Sequence, residues 1–237
     1  MSAVLVTGAN RGLGYATARV LAEDGNRVYL AGRDLAKVQH ATDKLRREDL
    51  DVHAAQLDVT SQSSIDAAVD QLQRDEERLD VLVNNAGVLP EASDDSGPSL
   101  ASVEMFRTTF ATNVFGVVAV TEALLPLLHR SARRRIVNVS STMGSLAHQI
   151  DPESPYYAVV MPAYQSSKTA LNSVTVSLSK KLAGSTVTVT SVCPGWVQTD
   201  LAPGNRELAP TPVDQAARVV AEAAGFSAAR RQAASPT

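Results

Sequence analysis

Short continuous apolar runs alternate along this chain with stretches in which apolar residues recur every three or four positions. The runs fall at residues 3–6, 27–31, 52–57, 79–83, 135–139 and 186–192. Their length and lack of strict alternation fit strands buried on both faces, as in a parallel sheet. Between them lie helical patterns: Leu13, Thr17, Val20 and Leu21; Leu35, Val38, Thr42 and Leu45; Ile65, Val69 and Leu72. A longer pattern runs through Val103, Phe106, Phe110, Val117, Val120 and Leu124, bending or ending near Pro126. Another carries Leu171, Val174, Leu178 and Leu182, and residues 214–224 suggest one more. Strand-helix alternation of this kind predicts an α/β fold, a Rossmann-type doubly wound parallel sheet in a single domain covering residues 1–237. Its last strand, expected to begin near Gly225, Phe226 and Ser227, reads as shortened or missing, and the Ala-, Arg- and Ser-rich tail at 228–237 reads as disordered.

Composition narrows the function classes. With 44% apolar and 20% charged residues the chain is ordinary for a globular protein, and its net charge of −3 offers no basic face for nucleic acid. No continuous apolar run has the length expected of a membrane span, and the first run, leading straight into glycines, does not read as a secretory leader. A lone cysteine, Cys193, forms no internal disulfide, and the four scattered histidines lack metal-ligand spacing, so no metal site is expected. The expectation is a cytoplasmic protein with no nucleic-acid or membrane partner. His129 with the arginines at 130 and 133–135 reads as a helix-end cluster.

Candidate chemistry begins at the first strand-to-helix turn, Thr7-Gly8-Ala9-Asn10-Arg11-Gly12-Leu13-Gly14. Glycines there admit a phosphate to the backbone, and the following helix start offers free N–H groups and a positive dipole end. A second constellation is Tyr164 and Lys168, four apart and therefore on one helix face. An ammonium beside a phenol favours the phenolate, so the Tyr164 pKa is expected to fall toward neutrality, as a general acid requires. Tyr156 and Tyr157 have Val160 and Met161 at the matching position and are set aside. Upstream, the strand at 135–139 ends in Ser140 and Ser141, where an open α/β sheet places its ligands and where a hydroxyl can bond a carbonyl oxygen.

The wording TGANRGLG resembles the T-G-x-x-x-G-x-G loop of the short-chain dehydrogenase/reductase superfamily, in particular its carbonyl-reductase-like branch. Asn84-Asn85-Ala86-Gly87, Ser141, Tyr164-x-x-x-Lys168 and Pro194-Gly195 follow in that family's order, so the resemblance covers nearly the whole chain. It implies that Gly8, Asn10, Arg11, Gly12, Leu13 and Gly14 hold the cofactor's phosphates. It implies that Asp58, with Val59, contacts the adenine, and that Asn85, Ala86 and Gly87 lie beside its ribose. Pro194, Gly195, Val197 and Thr199 would complete the nicotinamide side. Asp58 can equally cap the helix that follows.

Cofactor choice follows from the end of the second strand. NAD enzymes carry an acid there for the ribose 2′-hydroxyl. This chain has Gly32 and then Arg33, whose guanidinium suits a 2′-phosphate, and Arg11 can close on the same group. Asp34 reads as the cap of the next helix. The expected cofactor is NADP(H).

The resemblance assigns Ser141 to carbonyl polarisation, Tyr164 to proton donation and Lys168 to tuning the tyrosine and binding the nicotinamide ribose. Asn113, a mediocre helix former inside a helical pattern, would hold a water in a relay to the lysine. A satisfied polar residue is its plainer reading, and Ser140 in place of Ser141 stays open. The expected function is an NADPH-dependent ketoreductase or carbonyl reductase; secondary-alcohol oxidation and a non-catalytic NADP sensor are the alternatives. Ser141 and Tyr164 stand 23 positions apart, further than in the plainest family members. The extra segment, about 146–162, is expected to wall a pocket for an apolar or aromatic carbonyl substrate, with Met143, Tyr156, Tyr157 and Trp196 nearby. Together with the lost last strand it favours a monomer or homodimer over a tetramer.

Overall fold

The computed structural model describes residues 1–94 and 102–226. The polar stretch 90–99 reads in sequence as a surface loop; its residues 95–99, and the tail at 228–237, fall outside the described residues. Six parallel strands form one sheet: β1 (Ala3–Thr7), β2 (Arg27–Gly32), β3 (Val52–Gln56), β4 (Val81–Asn84), β5 (Arg135–Val139) and β6 (Thr188–Val192). Their order is β3-β2-β1-β4-β5-β6 among the described residues. The chain therefore reverses direction across the sheet between β1 and β4, and the crevice at their carboxyl ends is the place such sheets reserve for a dinucleotide.

Alternate residues of each strand point to opposite faces, and two apolar layers result. Val4 and Val6 of β1 pack with Val28, Leu30, Val83 and Val137 against α1 (Gly12–Glu23), α2 (Leu35–Arg46) and α9 (Val213–Ala223). Leu5, Tyr29, Leu82 and Ile136 face the opposite layer, built on α3 (Gln62–Asp75) and α5 (Val117–His129). The remaining helices are α4 (Val103–Phe110), α6 (Leu146–Ile150), α7 (Pro162–Lys181) and α8 (Asn205–Leu208). A last strand is not begun by Gly225 or Phe226: Gly225 adopts φ +81° in the turn closing α9, and Phe226 tucks into the first apolar layer.

One sequence expectation is corrected here. The pattern from Val103 is not one uniform α-helix, because residues Ala111–Gly116 between α4 and α5 are π-helical; Pro126 sits inside α5, which ends three residues later at His129. The whole run Val103–His129, 27 residues with a mean hydropathy of 1.7 in its best window, is long and apolar enough by length and composition to cross a membrane. Half of that window is buried within the fold. Val120, Leu124, Leu127 and Leu128 supply the core of the second layer, so we read the run as a core helix. Polar and charged positions break the run in sequence, which is why no continuous apolar stretch announced it.

Candidate active site

Two turns at the carboxyl ends of β1 and β4 are fastened to each other. The Thr7 Oγ1 accepts the backbone N–H groups of Asn85 and Ala86, both at 3.0 Å, and Asn85 Nδ2 donates to the Thr7 and Gly8 carbonyls at 2.8 and 3.3 Å. This contact explains two of the glycines. A Cβ on Gly14 would stand 2.4 Å from Asn85 Nδ2 and 2.5 Å from the Gly8 carbonyl oxygen; one on Gly8 would stand 2.9 Å from Ala86 Cα. Gly8 and Gly14 therefore admit the neighbouring turn, a packing role beside the phosphate role expected of them. Gly12, at φ +56°, opens α1 with no side-chain cap on its first N–H groups, since Arg11 at the cap position makes no such bond. Uncapped N–H groups at a helix start suit an anion, and the exposed Arg11 stands beside them.

At the neighbouring strand ends, Asn10 lies against Gly32, and Arg33 is exposed just beyond β2. Asp58 follows β3 as expected but does not cap α3; Ser61 does, accepting the Ser64 N–H at 3.4 Å. The Asp58 carboxylate instead accepts the Thr60 N–H and hydroxyl at 2.9 and 2.7 Å. Those bonds first, and the nearby Arg33 charge after them, hold its carboxyl below the usual range. Val59 is pressed by Gly116, where a Cβ would come within 2.8 Å of it. Asp34 caps α2 by accepting the Lys37 N–H, as predicted. The fit for a dinucleotide rests on this row of strand ends: uncapped helix N–H groups and an exposed Arg11 after β1, an exposed Arg33 after β2 and an ionised Asp58 after β3.

The other half of the crevice is built on β5 and α7. Ser140 and Ser141 separate cleanly. Ser140 is buried and donates to Asn172 Oδ1 at 2.7 Å, so its hydroxyl is structural. The Ser141 hydroxyl accepts the Met143 N–H at 3.2 Å and stands close enough to the Tyr164 phenol to favour its ionised form. Gly144, in the 3-10 turn after it, lies so close to α7 that a Cβ would reach 2.7 Å from the Lys168 carbonyl carbon. That contact seats the serine turn on the helix carrying Tyr164 and Lys168.

Both residues are buried, with Tyr164 6% and Lys168 5% exposed. The lysine Nζ donates to the Val139 carbonyl at 2.9 Å and lies 5.7 Å from the tyrosine ring centroid. The expected fall in the tyrosine pKa does not occur in the structure. Burial pushes the Tyr164 phenol up to about 12, against the neighbouring Ser141 hydroxyl, with Cys193 adding to the rise. Burial also pulls the Lys168 amine down to about 8, with Cys193 opposing. Low dielectric disfavours the charged form of each group, and here that exceeds what the spacing alone suggested.

Asn113 sits in the π-helical turn and is fully buried. Its Oδ1 accepts the Val88 N–H at 2.9 Å, and its Nδ2 donates to the Val88 carbonyl at 3.0 Å and to Ser167 Oγ at 3.1 Å. A Cβ on Gly87 would be 3.5 Å from Asn113 Oδ1 and 3.8 Å from Lys168 Nζ, so the Asn-Asn-Ala-Gly turn and the catalytic candidates share one space. Behind them a buried polar chain joins four elements: Asn84 Nδ2 donates to Thr121 Oγ1 and Asn138 Oδ1, and Asn138 Nδ2 donates to Thr175 Oγ1.

After β6 the chain passes over the glycine turn. Pro194 is buried, and Gly195 takes φ +91° where Thr211 Oγ1 would lie 2.9 Å from a Cβ. Val197 bridges to Thr211, and Thr199 comes within 3.5 Å of where a Gly12 Cβ would stand. Thr199 thus stands beside the glycine turn at the start of α1. Trp196 donates to Asn205 Oδ1 at 2.9 Å, which ties this loop to α8. The segment 146–162 forms the short α6 and then turns; it places Leu146, Ile150, Tyr157 and Val160 in solvent. Sequence reading missed Glu91, Gly144 and the contact of Cys193 Sγ with Thr142, because none belongs to a recognised local motif, and gave no role to Ser167 within the Tyr164-x-x-x-Lys168 stretch.

Residues 2–209 match the short chain dehydrogenase family model. The chain is 36% identical over 207 residues to the short-chain dehydrogenase anuI of Penicillium roqueforti, covering 85% of this chain and 81% of that protein. It is 37% identical over 204 residues to human retinol dehydrogenase 13, covering 84% of this chain and 60% of that protein, so it spans about three-fifths of that relative's length. Its fold superposes on NADPH-bound carbonyl reductase from chicken fatty liver with a TM-score of 0.81 at 26% identity, covering 96% of this chain and 93% of the other. The chain belongs to the short-chain dehydrogenase/reductase family, an oxidoreductase family that works with a nicotinamide cofactor.

Proposed function

We propose that the protein is an NADPH-dependent ketoreductase, with Tyr164 as proton donor. The observation that carries this reading is the grouping at the end of β5: the Ser141 turn, seated on α7 through Gly144, beside the buried Tyr164 phenol and the buried Lys168 amine. Bound in the crevice, NADPH would supply the hydride. The Ser141 hydroxyl, held at the strand end, is placed to bond a substrate carbonyl and orient it. Tyr164, a phenol at neutral pH, has the proton that a developing alkoxide needs. Lys168, charged below about pH 8, stabilises the phenolate left behind. Asn113, held by Val88 and Ser167, braces the wall beside Lys168. Arg33, with Gly32 where an acid would bar a 2′-phosphate, supports NADP(H) over NAD(H). The NADPH-bound carbonyl reductase with the same fold supports it too.

Apolar side chains exposed in 146–160 and at Trp196, Leu201 and Leu208 favour an apolar carbonyl compound. A second reading, oxidation of an alcohol, draws on the retinol dehydrogenases among the relatives. The test is consumption of NADPH, with NADH in parallel, against aliphatic, aromatic and polycyclic ketones, and the reverse assay with the matching alcohols. Turnover with NADPH that collapses in Tyr164→Phe is expected. Turnover that survives the substitution contradicts the proton-donor role, and turnover confined to alcohols favours the second reading.

A further inference from the structure

The helix that carries Tyr164 and Lys168 begins without a cap of its own. Met161 stands at the cap position and makes no side-chain bond, and Pro162 has no N–H to satisfy. The next two N–H groups are those of Ala163 and of Tyr164 itself. Left unbonded, they would be orphan donors at a helix start. Glu91 satisfies both from a segment more than seventy positions away: Oε1 accepts the Ala163 N–H at 2.9 Å, and Oε2 accepts the Tyr164 N–H at 2.7 Å. A carboxylate at this place also complements the positive end of the α7 dipole.

Glu91 occupies a 3-10 turn, Pro90–Ser93, that continues directly from the Asn-Asn-Ala-Gly turn. That stretch is fastened at three successive points. Asn85 and Ala86 bond Thr7 at the glycine turn, Val88 exchanges two hydrogen bonds with Asn113, and Glu91 takes the start of α7. One short segment therefore ties the glycine turn to the backbone of the candidate proton donor.

We infer that Glu91 is a positioning residue for Tyr164: its carboxylate clamps the tyrosine's own backbone N–H and so sets where the phenol stands relative to Ser141 and Lys168. The inference rests on Tyr164 being the proton donor. Glu91 acts through the helix start and touches none of the glycine-turn groups, so its loss reaches the proton-transfer step and leaves cofactor binding in place.

The experiment uses the full chain with Glu91→Ala and Glu91→Gln. Amide hydrogen exchange is followed at Ala163 and Tyr164, and kcat and the KM for NADPH are measured with whichever carbonyl compound the wild type reduces. Loss of a helix cap and its charge predicts exchange about tenfold faster at those two amides in Glu91→Ala, and kcat about tenfold lower. The KM for NADPH stays within about twofold, since the phosphate-side N–H groups are untouched. Glu91→Gln keeps one acceptor oxygen and falls between the alanine variant and the wild type, which also serves if the alanine variant does not fold. Faster exchange with an unchanged kcat overturns the positioning role. Unchanged exchange overturns the clamp. A fall in kcat matched by an equal loss of NADPH affinity reduces Glu91 to general stability. If the wild type reduces no carbonyl compound, the proposed function fails, and the clamp is judged on the exchange alone.

Discussion

The two halves of the crevice are built on opposite terms. On the β1–β3 side the groups that would meet a dinucleotide are exposed: Arg11, Arg33 and the uncapped start of α1. On the β5–α7 side the reactive groups are buried, with Asn113 and Ser167 fully covered and Tyr164 and Lys168 nearly so. Exposed charges recognise a charged ligand at modest cost. Buried ones take their charge state from the surroundings, and here burial drives both Tyr164 and Lys168 toward neutrality. Residue identity is enough to read the first half, whereas the second is decided by depth.

The sharpest way to break that contrast is Tyr164→Phe. Loss of a general acid predicts kcat lower by at least about 100-fold, while NADPH affinity, measured by fluorescence titration, stays as in the wild type. A parallel fall in affinity would mean that the halves are not separable. Next in size is Arg33→Ala. A lost charge-assisted hydrogen bond predicts that the kcat/KM preference for NADPH over NADH drops by about 10- to 100-fold. Activity with NADH should hardly change, and an unaltered preference would remove Arg33 from cofactor choice.

Between the halves lies the fastening of the glycine turn to Asn85. Gly14→Ala forces a Cβ to within 2.4 Å of Asn85 Nδ2, whereas Gly25→Ala meets nothing within 4 Å and bears only its φ of +80°. Thermal denaturation should show the larger loss for the first, about 3 kcal/mol or more, and about 1–2 kcal/mol for the second. Equal losses would deny the close approach of the two turns.

The smallest effect is a pH dependence. A lysine with a folded pKa of about 8 loses its charge as pH rises through that value. The rate of carbonyl reduction should therefore decline above about pH 8, and a flat profile to about pH 10 contradicts the lysine's role. Stability carries the same sign of information. The unfolded lysine, with a pKa of about 10.4, binds more protons than the folded one between about pH 8 and 10.4. Lys168 thus makes folding more favourable as pH rises through that window, and Lys168→Met should lose that gain in pH-dependent urea denaturation.

Much of this was legible in the chain because the motifs are local. All six strands begin and end within two residues of the apolar runs, and Thr7–Gly14, Asn85–Gly87, Ser141, Tyr164 and Lys168 converge as their order suggested. What stayed hidden depends on contacts between distant segments. Ser140 could be told from Ser141 only by its bond to Asn172, and Asp58 from a helix cap only by Thr60 and Ser61. The π-helical turn that buries Asn113 has no periodic signature in so short a stretch. Glu91 is an unremarked acid in a polar loop until α7 is laid beside it. The tyrosine pKa was misjudged for the same reason, since spacing reveals a neighbour and says nothing of burial.

The most direct test is an ultraviolet difference titration of the tyrosinate, wild type minus Tyr164→Phe, on the folded chain. With the Tyr164 phenol at about 12, no phenolate from this residue is expected up to about pH 10. Half-ionisation at or below about pH 8 would contradict it, and would mean that the lysine charge prevails over burial at the centre of the site.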